Sequence, residues 1–228
     1  IAMTKQQNNF LLSITHELKS PLASLKLSMQ TIQKRQLDAE HIKSMADMSM
    51  DDIERLELLV ENILLASKIE SANFSLNREL MDLSTITTTI YDKIIIKHSG
   101  QRKFLTEIEK DIYIYGDRFS FSSVIYNLIE NAIKYSAADA EITVALTGDE
   151  KNAYLSVKDT GIGIPGTEKS RIFERFYRIG TEETRKTKGT GLGLFIVKHV
   201  VEMHKGSIQV KNNSPKGSIF EVSIPVGA

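Results

Sequence analysis

The chain has 228 residues, enough for one or two domains. Its 29 basic and 29 acidic side chains cancel, so no net charge draws it toward nucleic acid or an anionic membrane surface. Cysteine is absent, which excludes disulfides and thiolate metal sites and suits a reducing compartment.

No apolar run approaches the ~20 residues that span a bilayer, and no signal peptide is legible. The chain opens at Ile1-Ala2-Met3, already close to helical periodicity, and reads as a piece of a longer protein. Leu11, Thr15, Leu18, Leu22, Leu25, Met29 and Ile32 then recur at alternating steps of four and three, the pattern of a heptad stripe. A second series runs through Ile42, Met45, Ser49, Ile53, Leu56, Val60, Ile63 and Ser67. Between them Arg35 to Glu40 is the expected turn, with Asp38 as N-cap of the second helix. The prediction is a helical hairpin over residues 1–73.

Two helices cannot shield such a stripe from water, and each large apolar side chain left exposed forgoes roughly 1.5–3 kcal/mol. A second copy would cover it in a homodimeric four-helix bundle. Packing on the rest of the same chain is the alternative.

Phe10-Leu-Leu-Ser-Ile-Thr-His16-Glu17-Leu-Lys-Ser20-Pro21 lies on the first helix. The heptad column of His16 is Asn9, Ala23 and Gln30, small or polar, so the imidazole should be wet and reachable. Ser20 shares its face, four residues on. Glu17 points about 100° away, yet a long carboxylate can still accept a proton from the ring. Pro21 removes one backbone hydrogen bond and should bend the helix; equally, Ser20 could cap a restart with proline at its first position.

Ser71, Asn73, Ser75 and Asn77 are turn formers and mark a domain boundary. From about 79 to 228 the pattern is mixed. Strands are expected near Leu80, 104–108, 112–115, 141–146, 153–158, 207–210 and 218–224. Helices are expected over 83–97, from Asp117 to about Tyr135, and over 190–204. This predicts an α+β sandwich, one sheet with helices on one face.

Asn127, Asn131 and Lys134 share a face of the middle helix, and Tyr135 follows. Two amide oxygens and an ammonium suit a hydrated Mg2+ and its phosphates, although a solvated polar face would look the same. Asp159-Thr-Gly161-Ile-Gly163 puts a carboxylate at a strand end before a backbone that can pass close to a flat ring. Gly189-Thr-Gly191-Leu-Gly193 leads straight into a helix, where backbone N–H groups can meet phosphate oxygens. Neither run is a dinucleotide or Walker motif. Between them Phe173, Phe176 and Tyr177 would anchor a polar lid running to Lys188, and Arg171 and Arg178 are candidates for the terminal phosphate. His41, His98, His199 and His204 show no ligand spacing and read as structural or solvated. Asp51-Asp52 reads as an exposed pair.

The Phe10–Pro21 stretch resembles the H box of sensor histidine kinases. The ordered set that follows resembles their N, G1, F and G2 boxes. The resemblance implies a dimerisation and histidine phosphotransfer hairpin followed by a Bergerat-type ATP-binding domain, the sandwich shared with gyrase, Hsp90 and MutL. It implies that His16 takes the γ-phosphoryl group of ATP, with Glu17 as base, and passes it to an aspartate in the receiver domain of a response regulator. Ser20 stands where the family usually has Thr or Asn to orient water for dephosphorylating that regulator; serine keeps a hydroxyl but departs from the pattern. Asn127 and Asn131 would sit on the Mg2+ side, Lys134 on the phosphates, Tyr135 near the nucleotide and Asp159 on the adenine N6. Gly161 and Gly163 would line the base, and Gly189, Gly191 and Gly193 the phosphates. Glu130 stands where the kinases often have Asn or Asp and has no assigned role. The implied setting is the cytoplasmic portion of a membrane-anchored bacterial sensor. An ATPase that closes a dimer on binding, and a non-enzymatic scaffold, are the competing readings.

Overall fold

The computed structural model describes residues 5–71, 75–98, 102–180 and 189–227. Helix α1 (Lys5–Lys34) and helix α2 (Ala39–Ile69) form the expected hairpin. The Asp38 carboxylate accepts from the His41 N–H at 2.8 Å, so the predicted cap starts α2. Helix α1 runs unbroken through Ser20 and Pro21, so the serine does not restart it.

The apolar stripe divides. Ile63, with Phe10 and Ile69, packs on the same core as the rest of the chain, and the neighbouring Leu65 and Ala66 are buried in it. Leu11, Leu22, Met29, Ile42, Ile53 and Val60 stay exposed. The part of the hairpin near the joint is thus covered within one chain, and the remainder is available to a second copy.

After the joint come strand β1 (Glu79–Asp82), helix α3 (Leu83–His98), strands β2 (Lys103–Ile108) and β3 (Tyr113–Gly116), and helix α4 (Arg118–Lys134). Strands β4 (Glu141–Gly148) and β5 (Asn152–Asp159), helix α5 (Gly193–Met203), and strands β6 (Ser207–Asn212) and β7 (Ser218–Pro225) complete the order. The expectation of one sheet is corrected. β1 and β3 form a separate antiparallel pair, while the other strands form a five-stranded sheet in the order β2-β4-β5-β7-β6. Each of the two strands is four residues long and they pair over their whole length, Glu79 opposite Gly116 and Asp82 opposite Tyr113. Gly116 ends β3 and Asp117 at once caps α4, accepting from the Ser120 N–H at 2.8 Å.

In β4, β5 and β7 alternate residues are buried, as a half-covered sheet requires. Ile142, Val144, Leu146, Leu155, Val157, Phe220 and Val222 meet Phe121, Ile125, Leu128 and Ile129 of α4 and Ile196, Val197 and Val200 of α5 in one core. That packing sets the polar edge of α4 opposite the start of α5.

His204 ties the two helices together. Its Nε2 accepts the Asp117 N–H at 3.1 Å, so the proton sits on Nδ1, which donates to the Val200 carbonyl at 2.6 Å. Burial holds its pKa below the ordinary 6.5. The unfolded chain therefore binds this proton first as pH falls, and stability should drop below pH 6.5 toward the lowered folded value. His204→Gln, which keeps an acceptor for Asp117 and cannot titrate, is expected to flatten that limb of a thermal-unfolding pH profile.

Candidate nucleotide and phosphoacceptor site

Helix α4 presents Ser123, Asn127, Asn131 and Lys134 along one edge. Asn127 is buried, and its Nδ2 donates to the Ser123 carbonyl at 2.8 Å, to Ser123 Oγ at 3.1 Å and to Asn62 Oδ1 of α2 at 3.3 Å. With the donor end spent, the acceptor end faces α5: a Cβ on Gly193 would lie 2.6 Å from Asn127 Oδ1. Asn131 makes no side-chain hydrogen bond among the described residues, so its amide is available to a ligand. Among the described residues no group of three or more His, Cys, Asp or Glu gathers to hold a metal. The donor set present is instead two amides beside a lysine, which fits a hard cation that keeps its waters and shares phosphate oxygens.

Lys134 closes the far end of that edge. Its Nζ would be 2.2 Å from a Cβ on Gly189, whose φ of +151° also favours glycine, so the loop passes directly over the ammonium. Burial is the main cause that pushes its pKa down to about 8, and the charge of Arg178 adds to the shift; Glu17 and Glu130 oppose it. Gly191, at φ +73°, accepts from the Phe176 N–H at 2.9 Å, and a Cβ there would strike the Phe176 backbone at 2.7 Å. Phe176 itself has a positive φ of 65°.

Asp159 ends β5 and is buried. Its Oδ1 accepts from the Gly161 N–H at 2.8 Å and the Ser218 N–H at 3.3 Å. Oδ2 has no partner among the described residues. Burial raises the carboxyl pKa against those two bonds. The result is a carboxylate with one oxygen fixed and the other open to a donor. Gly161 leaves the adjoining space clear, for a Cβ would meet the Tyr135 carbonyl at 2.4 Å.

The phosphoacceptor candidate lies on the hairpin. His16 is exposed, as its heptad column predicts. Glu17 is buried and bonded to Arg55 of α2 at 2.6 Å. The helix carrying both reaches the sandwich: Phe10 stacks on Phe176 with ring centroids 3.8 Å apart. Glu17 is also near enough to act on the Lys134 charge.

The profile described as "His Kinase A (phospho-acceptor) domain" matches residues 6–72, and that described as "Histidine kinase-, DNA gyrase B-, and HSP90-like ATPase" matches 116–228. Sensor histidine kinase RppB of Synechocystis is 34% identical over 229 residues, covering 97% of this chain and 50% of RppB. Sensor histidine kinase WalK of Bacillus subtilis is 30% identical over 227 residues, covering 98% of this chain and 37% of WalK. The structure of Acinetobacter baumannii histidine kinase AdeS superposes with a TM-score of 0.62 at 26% identity, over 93% of this chain and 98% of that one. The chain belongs to the histidine kinase family. It spans half the length of RppB and less of WalK.

Against this histidine kinase frame, the structure brings Asn127, Asn131, Lys134, Gly189 and Gly193 together at the facing ends of α4 and α5, with Asp159 and Gly161 beyond Tyr135. The two arginines part. Arg178 lies near Lys134, whereas Arg171 lies over the Tyr177 ring at 4.3 Å and within 4.0 Å of Glu168. The lid residues 181–188 lie outside the described residues. Sequence reasoning missed Asn62, Arg55 and Asn213, which act on site residues from distant stretches. Only their local polarity was visible, and many solvated positions share it.

Proposed function

We propose that this chain is the catalytic core of a two-component sensor histidine kinase, with a phosphotransfer hairpin over 1–73 and an ATP-binding domain over 79–228. His16 takes the γ-phosphoryl group of ATP and hands it to an aspartate of a response regulator. The observation that carries this reading is that the helix bearing the exposed His16 reaches the second domain beside its glycine loop: Phe10 of that helix stacks on Phe176, whose N–H bonds the Gly191 carbonyl.

In the first step an N–P bond forms on His16 as the bond to the leaving ADP oxygen breaks. The ring gives up its proton to Glu17, which Arg55 orients. Asp159 takes the adenine amine, and the glycine loop and Lys134 take the phosphates. Asn127 and Asn131 would hold the metal through their amides. Mg2+, when bound, neutralises phosphate charge. The chain otherwise works by positioning. Ser20, on the same helix one turn on, stands where water for regulator dephosphorylation would be oriented.

Two copies pair through the exposed stripe of Leu11, Leu22, Met29, Ile42, Ile53 and Val60. The longer protein is anchored in a bacterial membrane with this part in the cytoplasm; among the described residues no helix is long and apolar enough to cross a membrane. Incubation with γ-labelled ATP and Mg2+ tests the assignment. Acid-labile, alkali-stable label on the chain is expected, and phosphate release without label would refute it.

Lys134 gives this reading a pH signature. Free, it is half neutral near pH 8. Phosphate beside it favours the charged form, so its pKa rises on binding. Nucleotide binding at pH 8 should take up about half a proton per site, and affinity should weaken as pH rises further. Titration calorimetry in buffers of different ionisation enthalpy measures the uptake. Lys134→Met should abolish it.

A further inference from the structure

The carboxylate of Asp159 is held from a part of the chain far from every motif. The β5–β7 ladder ends at the pair Lys158–Ile219. One residue later the Asp159 carbonyl faces the hairpin that joins β6 to β7. There the Asn213 Nδ2 donates to it at 2.7 Å. Asn213 is buried, 7% exposed, and its own N–H bonds the Gly217 carbonyl at 3.0 Å, which closes the hairpin. A Cβ on Gly217, at φ +109°, would lie 2.0 Å from the same Asp159 carbonyl, so only glycine lets the hairpin sit this close. From there Ser218 sends its N–H to Asp159 Oδ1. The hairpin therefore grips one residue at two points, its carbonyl and its carboxylate. The Asn213 amide serves as the rung that the sheet lacks at this position.

We propose that Asn213 is a positioning residue for adenine recognition: it fixes the end of β5 so that Asp159 Oδ2 meets the 6-amino group. The proposal rests on the reading of Asp159 as the amine acceptor. A buried carbonyl that loses its donor must seek water or another partner, and the strand end would shift with it. The carboxylate lies on that same residue, so a displacement that leaves the fold intact still spoils a hydrogen bond whose window is a few tenths of an ångström.

The test compares ATP with purine riboside triphosphate, which has hydrogen in place of the 6-amino group. Both are measured by displacement of a fluorescent nucleotide in the presence of Mg2+. In the parent, loss of the amine should cost about 10- to 100-fold in affinity. In Asn213→Ala the penalty should shrink to less than about threefold, with affinity for the analogue nearly unchanged. The ratio does not depend on the folded fraction, so a residue that only stabilises the domain would leave it alone. Asn213→Asp keeps the volume, loses the donor and serves where the alanine variant does not fold; the same collapse is expected. A parent penalty that persists in both variants overturns the role of Asn213. A parent with no penalty overturns the reading of Asp159 and this proposal with it.

Discussion

His16→Gln is expected to leave no acid-labile label after incubation with γ-labelled ATP, while nucleotide binding stays within about twofold of the parent. The two halves of this result come from different features. His16 is exposed, so its replacement removes no core contact. Glutamine is as good a helix former, which leaves α1 intact. None of the groups that line the nucleotide cleft belongs to this side chain, so binding has no reason to change. What is lost is the ring nitrogen lone pair, and an amide nitrogen is not a substitute nucleophile. The complete loss separates a phosphoacceptor from a helper. Glu17→Gln should slow labelling by about 10²–10⁴-fold and still yield some product, because a general base accelerates a step that water can assist. Gel autoradiography after acid and alkali treatment reads the label, and displacement of a fluorescent nucleotide reads binding. Label persisting on His16→Gln would place the acceptor elsewhere. Release of free phosphate by the unlabelled variant at the parent's rate would move the chain toward the hydrolysing relatives.

Much of this arrangement was legible because it depends on local chemistry. Asp38 and Asp117 each precede a periodic run, and both cap the helix that follows. The spacing of Asn127, Asn131 and Lys134 needs only the helical repeat to become a shared edge. The glycine runs carry their own reason, since a Cβ at 161, 189, 191 or 193 would meet an atom at 2.2–2.7 Å. What the sequence withheld is pairing between distant segments. The separation of β1 and β3 from the main sheet follows from strand partners, which periodicity does not reveal. The sorting of Arg178 from Arg171 depends on how a short loop turns after Phe176. The grip of Asn213 on Asp159 joins residues 54 positions apart.

The hairpin and the sandwich also meet more closely than their boundary suggests. Asn62 touches Ser123 Oγ at 3.2 Å as well as Asn127. Arg175 pairs with Glu70, and Lys97 pairs with Asp51 at 2.9 Å. These contacts are largely polar and partly exposed, worth little singly. They are of the kind that a hinged pair of units can break and remake, and the apolar Phe10–Phe176 stack lies near the joint, next to the Arg175–Glu70 pair.

Asn131→Ala is the second large effect expected, and its contrast with Asn127→Ala makes it informative. The two residues are one helical turn apart and carry the same amide, yet the structure uses them differently. Asn127 is buried with three donor contacts to Ser123 and Asn62, so truncation removes one link between α4 and Asn62 and should cost about 1–3 kcal/mol of stability as well as activity. Asn131 is half-buried and its amide is uncommitted among the described residues, so alanine should be neutral or slightly favourable for the helix. Its loss should fall on the metal. Removing even an outer-sphere partner of a bound metal typically costs 10–100-fold, and a residue that holds the ion's own shell should cost at least about 100-fold in labelling rate. Raising Mg2+ should recover part of that rate for Asn131→Ala if the defect is metal affinity. The readouts are thermal unfolding without nucleotide, where Asn131→Ala should match the parent and Asn127→Ala should not, and labelling rate against Mg2+ concentration. An Asn131→Ala protein that labels like the parent at low Mg2+ would remove this amide from the metal side and leave Asn127, aimed at Gly193, as the residue that holds it.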